Sequence, residues 1–320
     1  MQHHKPDRLN LAIARRCFVA CKGCYSFFGI NEPDLPALAK SVETFVHLGI
    51  DAVTISGGDP LTIKGLVEFL AAIRSLGVRS IKVDTVGTNL LTLKPSVTAG
   101  STLETKRYLD TLNEAVDYLG IPLDGWSNSS VSLFRVGRPL LFDETVELLK
   151  TIDSLGVPPN IIINTVAHKH NLYGLTLILD EVISHRSVCH WNIFQYTPTD
   201  QAAKGANEFF EISMKQFAQA RTTLFPAIDH LTSRETLLTI DFRTIESRLG
   251  EYLLINSDGA VWVPDENGRT IYMGTVFGRE QVILERWSDW VDSFLNNVGK
   301  LADVGSWEYV VQSCRPVGGC

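Results

Sequence analysis

Apolar and polar positions follow a regular order along roughly the first two thirds of the chain. Short apolar runs typical of buried strands are separated by longer segments in which apolar residues recur every three or four positions, as on one face of a helix. The runs that predict strands cover 9–16, 51–56, 80–86, 117–125, 160–166 and 190–198. The segments that predict helices cover 35–50, 66–77, 105–116, 142–155 and 173–184, and 94–104 predicts an exposed loop.

This alternation of strands and helices predicts an α/β fold. Each connection is long enough for the crossover that parallel strands require, so we expect a parallel sheet closed or half closed into a barrel. In such barrels the loops after the strands carry the chemistry. Polar residues or glycines follow most of these strands: a cysteine-rich loop at 17–24, Gly57-Gly58, the segment 85–88, Asp124-Gly125 and Asn164. We therefore expect these residues to meet at one rim.

The pattern changes after residue 200. A helix is predicted over 205–223, a hairpin about Asp258-Gly259, a strand over 268–277, and a C-terminal helix with an apolar stripe. We assign that stripe to packing; it contains Trp287, Trp290, Val291 and Phe294. The predicted division is a core over 9–204 and a small α+β extension over 205–320, with hairpin, helix and a tail that contains cysteines.

Composition limits the class of protein. The chain has 320 residues, of which 45% are hydrophobic and 20% charged, as in core-forming globular proteins. The formal charge of −7 argues against a nucleic-acid partner held by phosphate contacts. No apolar run reaches the roughly 20 residues of a membrane span, and the N-terminus lacks the apolar core of a secretory signal. These features predict a cytoplasmic protein, in which clustered thiols bind metal more often than they form disulfides.

The cysteines are concentrated in one loop. Three of the six, Cys17, Cys21 and Cys24, lie within eight residues, a spacing open to a zinc knuckle, part of a disulfide framework or an iron–sulfur cluster. Structural zinc normally takes four ligands, and no fourth ligand lies beside these three. Iron–sulfur clusters are usually held by four thiolates. Three thiolates would instead hold three irons of a [4Fe–4S] cube and leave the fourth iron without a protein ligand.

Two motifs together resemble those of the radical S-adenosylmethionine (radical SAM) enzymes. They are the run from Cys17 to Tyr25 after the first strand, and Gly57-Gly58-Asp59-Pro60 after the second. Asp59 replaces the glutamate that is more common in that family and keeps the carboxylate. The likeness covers roughly residues 9–200, and it implies a partial (βα)6 TIM barrel.

The resemblance implies two cofactors and their ligands. Cys17, Cys21 and Cys24 would hold a [4Fe–4S] cluster, whose open iron binds S-adenosylmethionine. Its reductive cleavage yields a 5′-deoxyadenosyl radical that abstracts a substrate hydrogen, with the electron coming from a donor such as flavodoxin or ferredoxin. The residues expected near S-adenosylmethionine are Tyr25, Gly57, Gly58, Asp59, Asp124, Arg138 (or Arg135) and Asn164.

Two sub-family resemblances compete. Segments 160–171 and 190–201 are similar to those of viperin-like nucleotide-dehydrating enzymes, but Ile162 and Asn192 stand where those enzymes have basic residues for the triphosphate. The hairpin and tail resemble an auxiliary-cluster extension, yet only Cys189, Cys314 and Cys320 lie outside the first loop, too few for a four-thiolate cluster. We expect Cys189 to be a small buried residue. Cys314 and Cys320 are candidate catalytic residues, as hydrogen-atom donors; closure of the tail over the site, metal binding and no role at all stay open.

The predicted function is that of a radical SAM enzyme acting on a small polar metabolite, such as a sugar, a nucleoside or an antibiotic intermediate in natural product biosynthesis. Epimerisation, dehydrogenation, elimination and decarboxylation stay open, and with them the classes oxidoreductase, lyase and isomerase. The alternatives are a peptide-modifying maturase, a viperin-like nucleotide enzyme, or a non-catalytic Fe–S or zinc protein.

Overall fold

The fold was analysed in a computed structural model that describes residues 4–26, 29, 32–87, 90, 109–155, 160–231, 238–248, 250–264, 270–298 and 307–311. The predicted loop at 94–104 and the two tail cysteines, Cys314 and Cys320, lie outside the described residues. None of the described helices combines the length and the apolar character needed to cross a bilayer.

One large, mostly parallel sheet organises the molecule, and it is not closed. The long strands are β1 (Arg8–Ala14), β3 (Ala52–Gly57), β4 (Ser80–Asp84), β5 (Tyr118–Pro122), β7 (Asn160–Ala167), β8 (Val188–Gln195), β9 (Leu238–Arg243), β10 (Tyr252–Asn256), β11 (Ala260–Pro264), β12 (Thr270–Thr275) and β13 (Trp307–Val311). Their order is β12-β11-β10-β1-β3-β4-β5-β7-β8-β9-β13. Two-residue strands β2 (Ala20–Cys21) and β6 (Arg135–Val136) form a separate antiparallel pair.

Helices connect the strands. They are α1 (Leu35–His47), α2 (Leu66–Ser75), α3 (109–115), α4 (Asn128–Phe134), α5 (Leu141–Leu155), α6 (Leu175–Ser184), α7 (Ala206–Phe210), α8 (Met214–Leu231), α9 (Ile245–Arg248) and α10 (Glu280–Val298). Local sequence explains the ends of several of them. In α1, for example, the Asp34 side chain accepts the Ala37 N–H, and Pro36 occupies the first turn, where its missing N–H costs nothing.

The two faces of the sheet have opposite chemistry. Alternate strand residues such as Leu11, Ile55 and Trp191 are buried with the apolar helix faces in one large core. The residues between them point to the other side, which we call the inner face. Its polar members include Asn10, Ser56, Lys82, Asp84, Asn164, Asn192 and Asp241. The two-residue period of a strand thus separates a packed surface from a polar surface.

The partial α/β barrel predicted from the sequence is confirmed. All six predicted strands are present, and they pair in parallel in chain order. The hairpin about Asp258-Gly259 is also present, with β10 antiparallel to β11 and Gly259 at φ +76°. In α10, Trp287 and Val291 are buried, as the stripe predicted.

The single helix predicted over 205–223 is wrong, because Glu211 takes an extended ψ of 141° and separates α7 from α8. The sequence analysis also missed β9, which lies parallel to β8, and β13, which is antiparallel to β9. The sheet therefore continues past residue 204. The domain division at that residue stays a prediction.

Truncating Phe242 should test whether β9 belongs to the same cooperative unit as the strands before it. Phe242 is fully buried against Phe217 of α8, so Phe242→Ala should lower the free energy of unfolding by about 3–5 kcal/mol. Denaturant unfolding followed by both tryptophan fluorescence and circular dichroism measures this. The matched control is Ile271→Ala at an exposed strand position, which should change the value by about 0.5 kcal/mol or less. A separate early transition in the Phe242 variant would contradict a single unit.

Candidate active site

The cysteine loop follows β1 and is held by backbone contacts from distant parts of the chain. Cys21 pairs with Arg135 in the small β2–β6 ladder, and the Lys22 N–H donates to the Phe134 carbonyl at 3.0 Å. On the other side, the Lys22 carbonyl accepts from Ala203 N–H at 2.8 Å. A loop with little regular structure thus acquires a fixed path.

The glycine loop after β3 packs directly against the segment that leads into the cysteines. A Cβ on Gly57 would overlap the Ala14 backbone, and one on Gly58 would overlap the Arg16 carbonyl. Gly57 also has φ +115°, which side-chain-bearing residues rarely adopt. The sequence analysis explained these glycines by approach to the cofactor; within the chain itself they allow close approach of two backbone segments. The Ser26 hydroxyl completes the contact by donating to the Gly57 carbonyl at 2.6 Å.

Asp59 is fully buried and ties the glycine loop to the loop after β4. Its carboxylate accepts from the Thr85 hydroxyl and the Val86 N–H, each at 2.8 Å, and from the Leu61 N–H at 3.0 Å. Burial raises the pKa of this carboxyl group, while these hydrogen bonds act in the opposite direction. Asp59 therefore has a positioning role here, and its predicted contact with the cofactor stays a prediction.

A buried ion pair between Arg135 and Asp124 contacts the Cys21 sulfur. Arg135 donates its Nε–H to Asp124 and its Nη1–H to the Cys21 sulfur, the latter at 3.1 Å. Asp124 has no exposed surface, and its second oxygen accepts from the Val166 N–H at 2.7 Å. The sequence analysis placed Asp124 beside S-adenosylmethionine; the described contacts occupy both of its carboxylate oxygens within the protein.

The other predicted cofactor-binding residues lie around the same rim and the inner face. Arg138 donates two hydrogen bonds to the Glu144 carboxylate, with Nε–Oε2 and Nη2–Oε1 distances of 2.6 and 3.0 Å. Asn164 donates to Asp84 at 3.1 Å. Tyr25 is 43% exposed, and its hydroxyl group lies near Ser56 on the inner face. Their roles toward S-adenosylmethionine stay predictions.

An aromatic cluster that the sequence analysis missed packs against the cysteine loop. Phe134, Tyr196 and Phe210 pack on one another with centroid distances of 5.1–6.2 Å, and Cys21 contacts them. A Cβ on Gly23 would overlap the Tyr196 ring. His168 joins the cluster at 4.9 Å from Phe210. In the sequence, only the adjacent Phe209 and Phe210 at the end of α7 indicated that an aromatic cluster could form here.

The three loop thiols fit a multi-iron group, because they lie close enough for their charges to interact. Cys17, Cys21 and Cys24 are free, and within the described part of the chain no three His, Cys, Asp or Glu side chains are grouped to hold one metal ion. Burial raises the pKa of both Cys17 and Cys21, that of Cys21 to about 12; the nearby Cys24 thiol contributes to each rise, and the Arg135 guanidinium opposes it. The three sulfurs therefore share one region and need a cationic partner to ionise, which bound iron supplies.

Comparison with known proteins agrees with this geometry. The family model for the radical SAM superfamily matches residues 11–173, about half of the chain. The chain belongs to the radical SAM superfamily. The enzyme class predicted from the cysteine and glycine loops is thereby confirmed at the level of the family. Radical SAM membership implies a [4Fe–4S] cluster and S-adenosylmethionine as cofactors, and the three thiols fit that cluster.

Several radical SAM proteins are similar to this chain. A GTP 3′,8-cyclase from Geobacter sulfurreducens is 27% identical over 162 residues, which is 47% of this chain and 44% of the relative. An S-adenosylmethionine-dependent nucleotide dehydratase from Lacinutrix mariniflava is 21% identical over 266 residues, 80% of this chain and 50% of the relative. The chain thus spans half or less of the length of these relatives.

Solved structures share the fold. SuiB from Streptococcus suis aligns with a TM-score of 0.64 and 15% identity, covering 88% of this chain and 65% of SuiB. The enzyme anSMEcpe, solved with bound AdoMet and a Cp18Cys peptide, aligns with a TM-score of 0.57 and 14% identity, covering 87% and 79%. At such identities the likeness describes the radical SAM fold.

Cys189 differs in kind from the cluster cysteines. It lies on β8, is half-buried rather than fully buried as predicted, and its thiol donates to the Ile161 carbonyl at 3.4 Å. This makes Cys189 the matched control for the three cysteines of the loop.

Removing any one of Cys17, Cys21 or Cys24 should abolish the cluster. Each alanine variant, reconstituted without oxygen, should lose the absorption near ~400 nm, because thiolates are the iron ligands. Wild type and Cys189→Ala should both hold about four irons per chain by iron analysis. Full absorption in any of the three loop variants would show that the ligands are misassigned.

His168 should make folding stability sensitive to acid. Burial lowers its pKa from 6.5 to about 3, so the unfolded chain binds a proton in this range that the folded protein does not. Stability supported by the neutral imidazole is therefore lost as pH falls below about 6.5, with a slope of at most about 1.4 kcal/mol per pH unit. Urea unfolding from roughly pH 6.5 to 4 should show that the free energy of unfolding depends less steeply on pH in His168→Gln than in wild type. His47→Gln, at an exposed position, is the control; equal slopes for His168→Gln and wild type would refute the assignment.

Proposed function

We propose that this radical SAM protein abstracts a hydrogen atom from a small polar metabolite, such as a sugar, a nucleoside or an antibiotic intermediate. The outcome would be epimerisation, dehydrogenation, elimination or decarboxylation. The observation that supports this substrate class is the inner face of the sheet, because it offers a continuous array of hydrogen-bonding groups next to the cysteine loop.

The first part of that array is a chain of neutral amides ending on a carboxylate. Asn192 donates to Asn164 at 3.0 Å, and Asn164 donates to Asp84. A Cβ on Gly120 would overlap the Asp84 carboxylate, so the glycine leaves room for this network. Amide and carboxylate groups in such a row match the alternating donors and acceptors of hydroxyl-bearing ligands.

The second part contains charged groups that already have partners. Lys82 pairs with Asp84 at 3.1 Å, and Arg243 pairs with Glu251. His190 lies 3.0 Å from the Asp241 carboxylate. Cations that are neutralised in this way offer little to a polyphosphate, which needs unpaired guanidinium or ammonium groups. A neutral or weakly charged substrate fits this surface better.

When bound, the cluster and S-adenosylmethionine supply a one-electron cleavage that generates a 5′-deoxyadenosyl radical. The protein residues hold and orient the reactants. Cys17, Cys21 and Cys24 would ligate iron, the glycine loop would leave backbone groups accessible to the methionine moiety, and the amide array would fix the substrate. Cys314 and Cys320 remain hypothetical hydrogen-atom donors.

A nucleotide substrate is the second candidate. The GTP 3′,8-cyclase and nucleotide dehydratase relatives favour it, because those names describe enzymes that act on nucleotides. We further propose a reducing, cytosolic setting, which keeps thiols free, and an electron donor such as flavodoxin or ferredoxin.

Reductive cleavage of S-adenosylmethionine tests the proposed chemistry. Anaerobically reconstituted protein, reduced with dithionite, should release 5′-deoxyadenosine from S-adenosylmethionine, and Cys24→Ala should release none. Chromatography with mass detection measures the product. Cluster-loaded wild type that forms no 5′-deoxyadenosine would exclude a radical SAM activity.

The same assay separates the two substrate classes. Neutral sugars and nucleosides, or nucleoside triphosphates, are added singly in deuterated form, and deuterium in 5′-deoxyadenosine identifies the class. Asn192→Leu should lose the stimulation by substrate and keep the substrate-independent cleavage, because it removes one member of the amide array. Thr222→Val, on the exposed face of α8, is the control and should keep both. Deuterium transfer only from triphosphates would favour the second candidate.

A further inference from the structure

Arg135 is the one described side chain that donates a hydrogen bond from a guanidinium to a cluster-ligand sulfur. Its side chain is only 12% exposed, and Nη1 lies 3.1 Å from the sulfur of Cys21. Within the β2–β6 ladder the same two residues are backbone neighbours. The contact therefore rests on two independent attachments, one of backbone and one of side chain.

Asp124 fixes the guanidinium in that position. Arg135 donates Nε–H to one Asp124 oxygen, while the Val166 N–H occupies the other. The Asp124 backbone is itself held, since its carbonyl accepts from the Asn171 amide at 2.9 Å. Because a guanidinium is planar and its donors are rigidly spaced, fixing Nε also fixes the direction of Nη1 toward sulfur. The Phe134 ring, 5.8 Å away, covers one face of the group.

A hydrogen bond to a ligand sulfur affects the two redox states unequally. Reduction adds one electron and hence one negative charge to the cluster and its thiolates. A cationic N–H donor stabilises the more negative state more strongly, and hydrogen bonds to the sulfurs are among the factors that set Fe–S potentials. The guanidinium stays protonated throughout, so the electron transfer involves no proton.

We propose that Arg135, held by Asp124, sets the reduction potential of the cluster by its hydrogen bond to the Cys21 sulfur. This inference rests on the proposed function, because it presupposes that Cys21 ligates iron. In this role Arg135 acts on the cluster and not on S-adenosylmethionine. The sequence analysis expected Arg138 or Arg135 to lie near S-adenosylmethionine. Arg138 lies three residues along the chain and forks onto Glu144, so it serves as the matched control.

Potentiometric titration followed by electron paramagnetic resonance tests the inference without any turnover. Wild type, Arg135→Gln, Asp124→Asn/Arg135→Gln, Arg135→Lys and Arg138→Gln are reconstituted and titrated with dithionite and mediators, in the absence of S-adenosylmethionine. The double variant removes one positive and one negative charge together, so the local net charge is unchanged and no buried carboxylate is left unpaired. It isolates the loss of the N–H···S bond.

Arg135→Gln and the double variant should be harder to reduce. At a fixed solution potential the ratio of reduced to oxidised cluster should fall about tenfold, equivalent to a midpoint ~59 mV more negative for one electron. Arg135→Lys keeps a cation and a donor but not the fixed fork, so its shift should be smaller. Arg138→Gln should titrate like wild type.

Three results would overturn the inference. The first is a reduction midpoint equal to that of wild type in Arg135→Gln or in the double variant, measured in either variant that binds a cluster. The second is an equal shift in Arg138→Gln. The third is failure of both Arg135→Gln and the double variant to load a cluster while Arg138→Gln loads one, which would assign Arg135 to cluster assembly instead. Equal midpoints would leave the proposed function intact, whereas cluster-loaded wild type without 5′-deoxyadenosine formation would refute that function and leave this comparison valid.

Discussion

The architecture of the site depends on the close approach of two backbone segments, the glycine loop after β3 and the chain at 14–16 that leads into the cysteines. The glycine loop has no side chain at the point of contact, because Cβ atoms on Gly57 and Gly58 would overlap the backbone of Ala14 and Arg16. A cysteine loop without regular structure has no internal ladder of hydrogen bonds to define its shape. Its geometry is therefore inherited from the rigid sheet through these contacts and through the short ladder to Arg135.

A buried ion pair next to the thiols of the cysteine loop is energetically unusual. Desolvation of Asp124 and Arg135 opposes their burial, and removing one partner of such a pair typically costs about 3–5 kcal/mol. Pairs of this kind contribute little net stability compared with an apolar substitute, so their retention at this position suits a role in orientation and charge. The polar inner face follows the same logic, because each charged group discussed on it has a partner of opposite charge or a hydrogen bond.

The sequence predicted the parts of the molecule that depend on local pattern. Apolar runs at regular spacing gave the six strands, and the cysteine and glycine motifs gave the family. What it could not predict depends on contacts between distant residues. The role of Arg135 arises only when α4 and β6 bring it beside Cys21, 114 positions earlier. The engagement of Asp59 with Thr85 likewise requires β3 and β4 to be neighbours, and α7 and α8 separate at Glu211 without any proline or glycine to mark the break.

The placement of β9 has a consequence for the limits of the catalytic unit. β8 pairs with β7 on one side and, from His190 to Phe194, with β9 on the other. A fragment that stopped at residue 204 would leave one edge of β8 as a row of unpaired amide and carbonyl groups beside side chains that are now fully buried, such as Trp191 and Ile193. Bare strand margins of this sort recruit other chains and promote aggregation. The later part of the chain thus acts as a covalently attached cover over that side of β8.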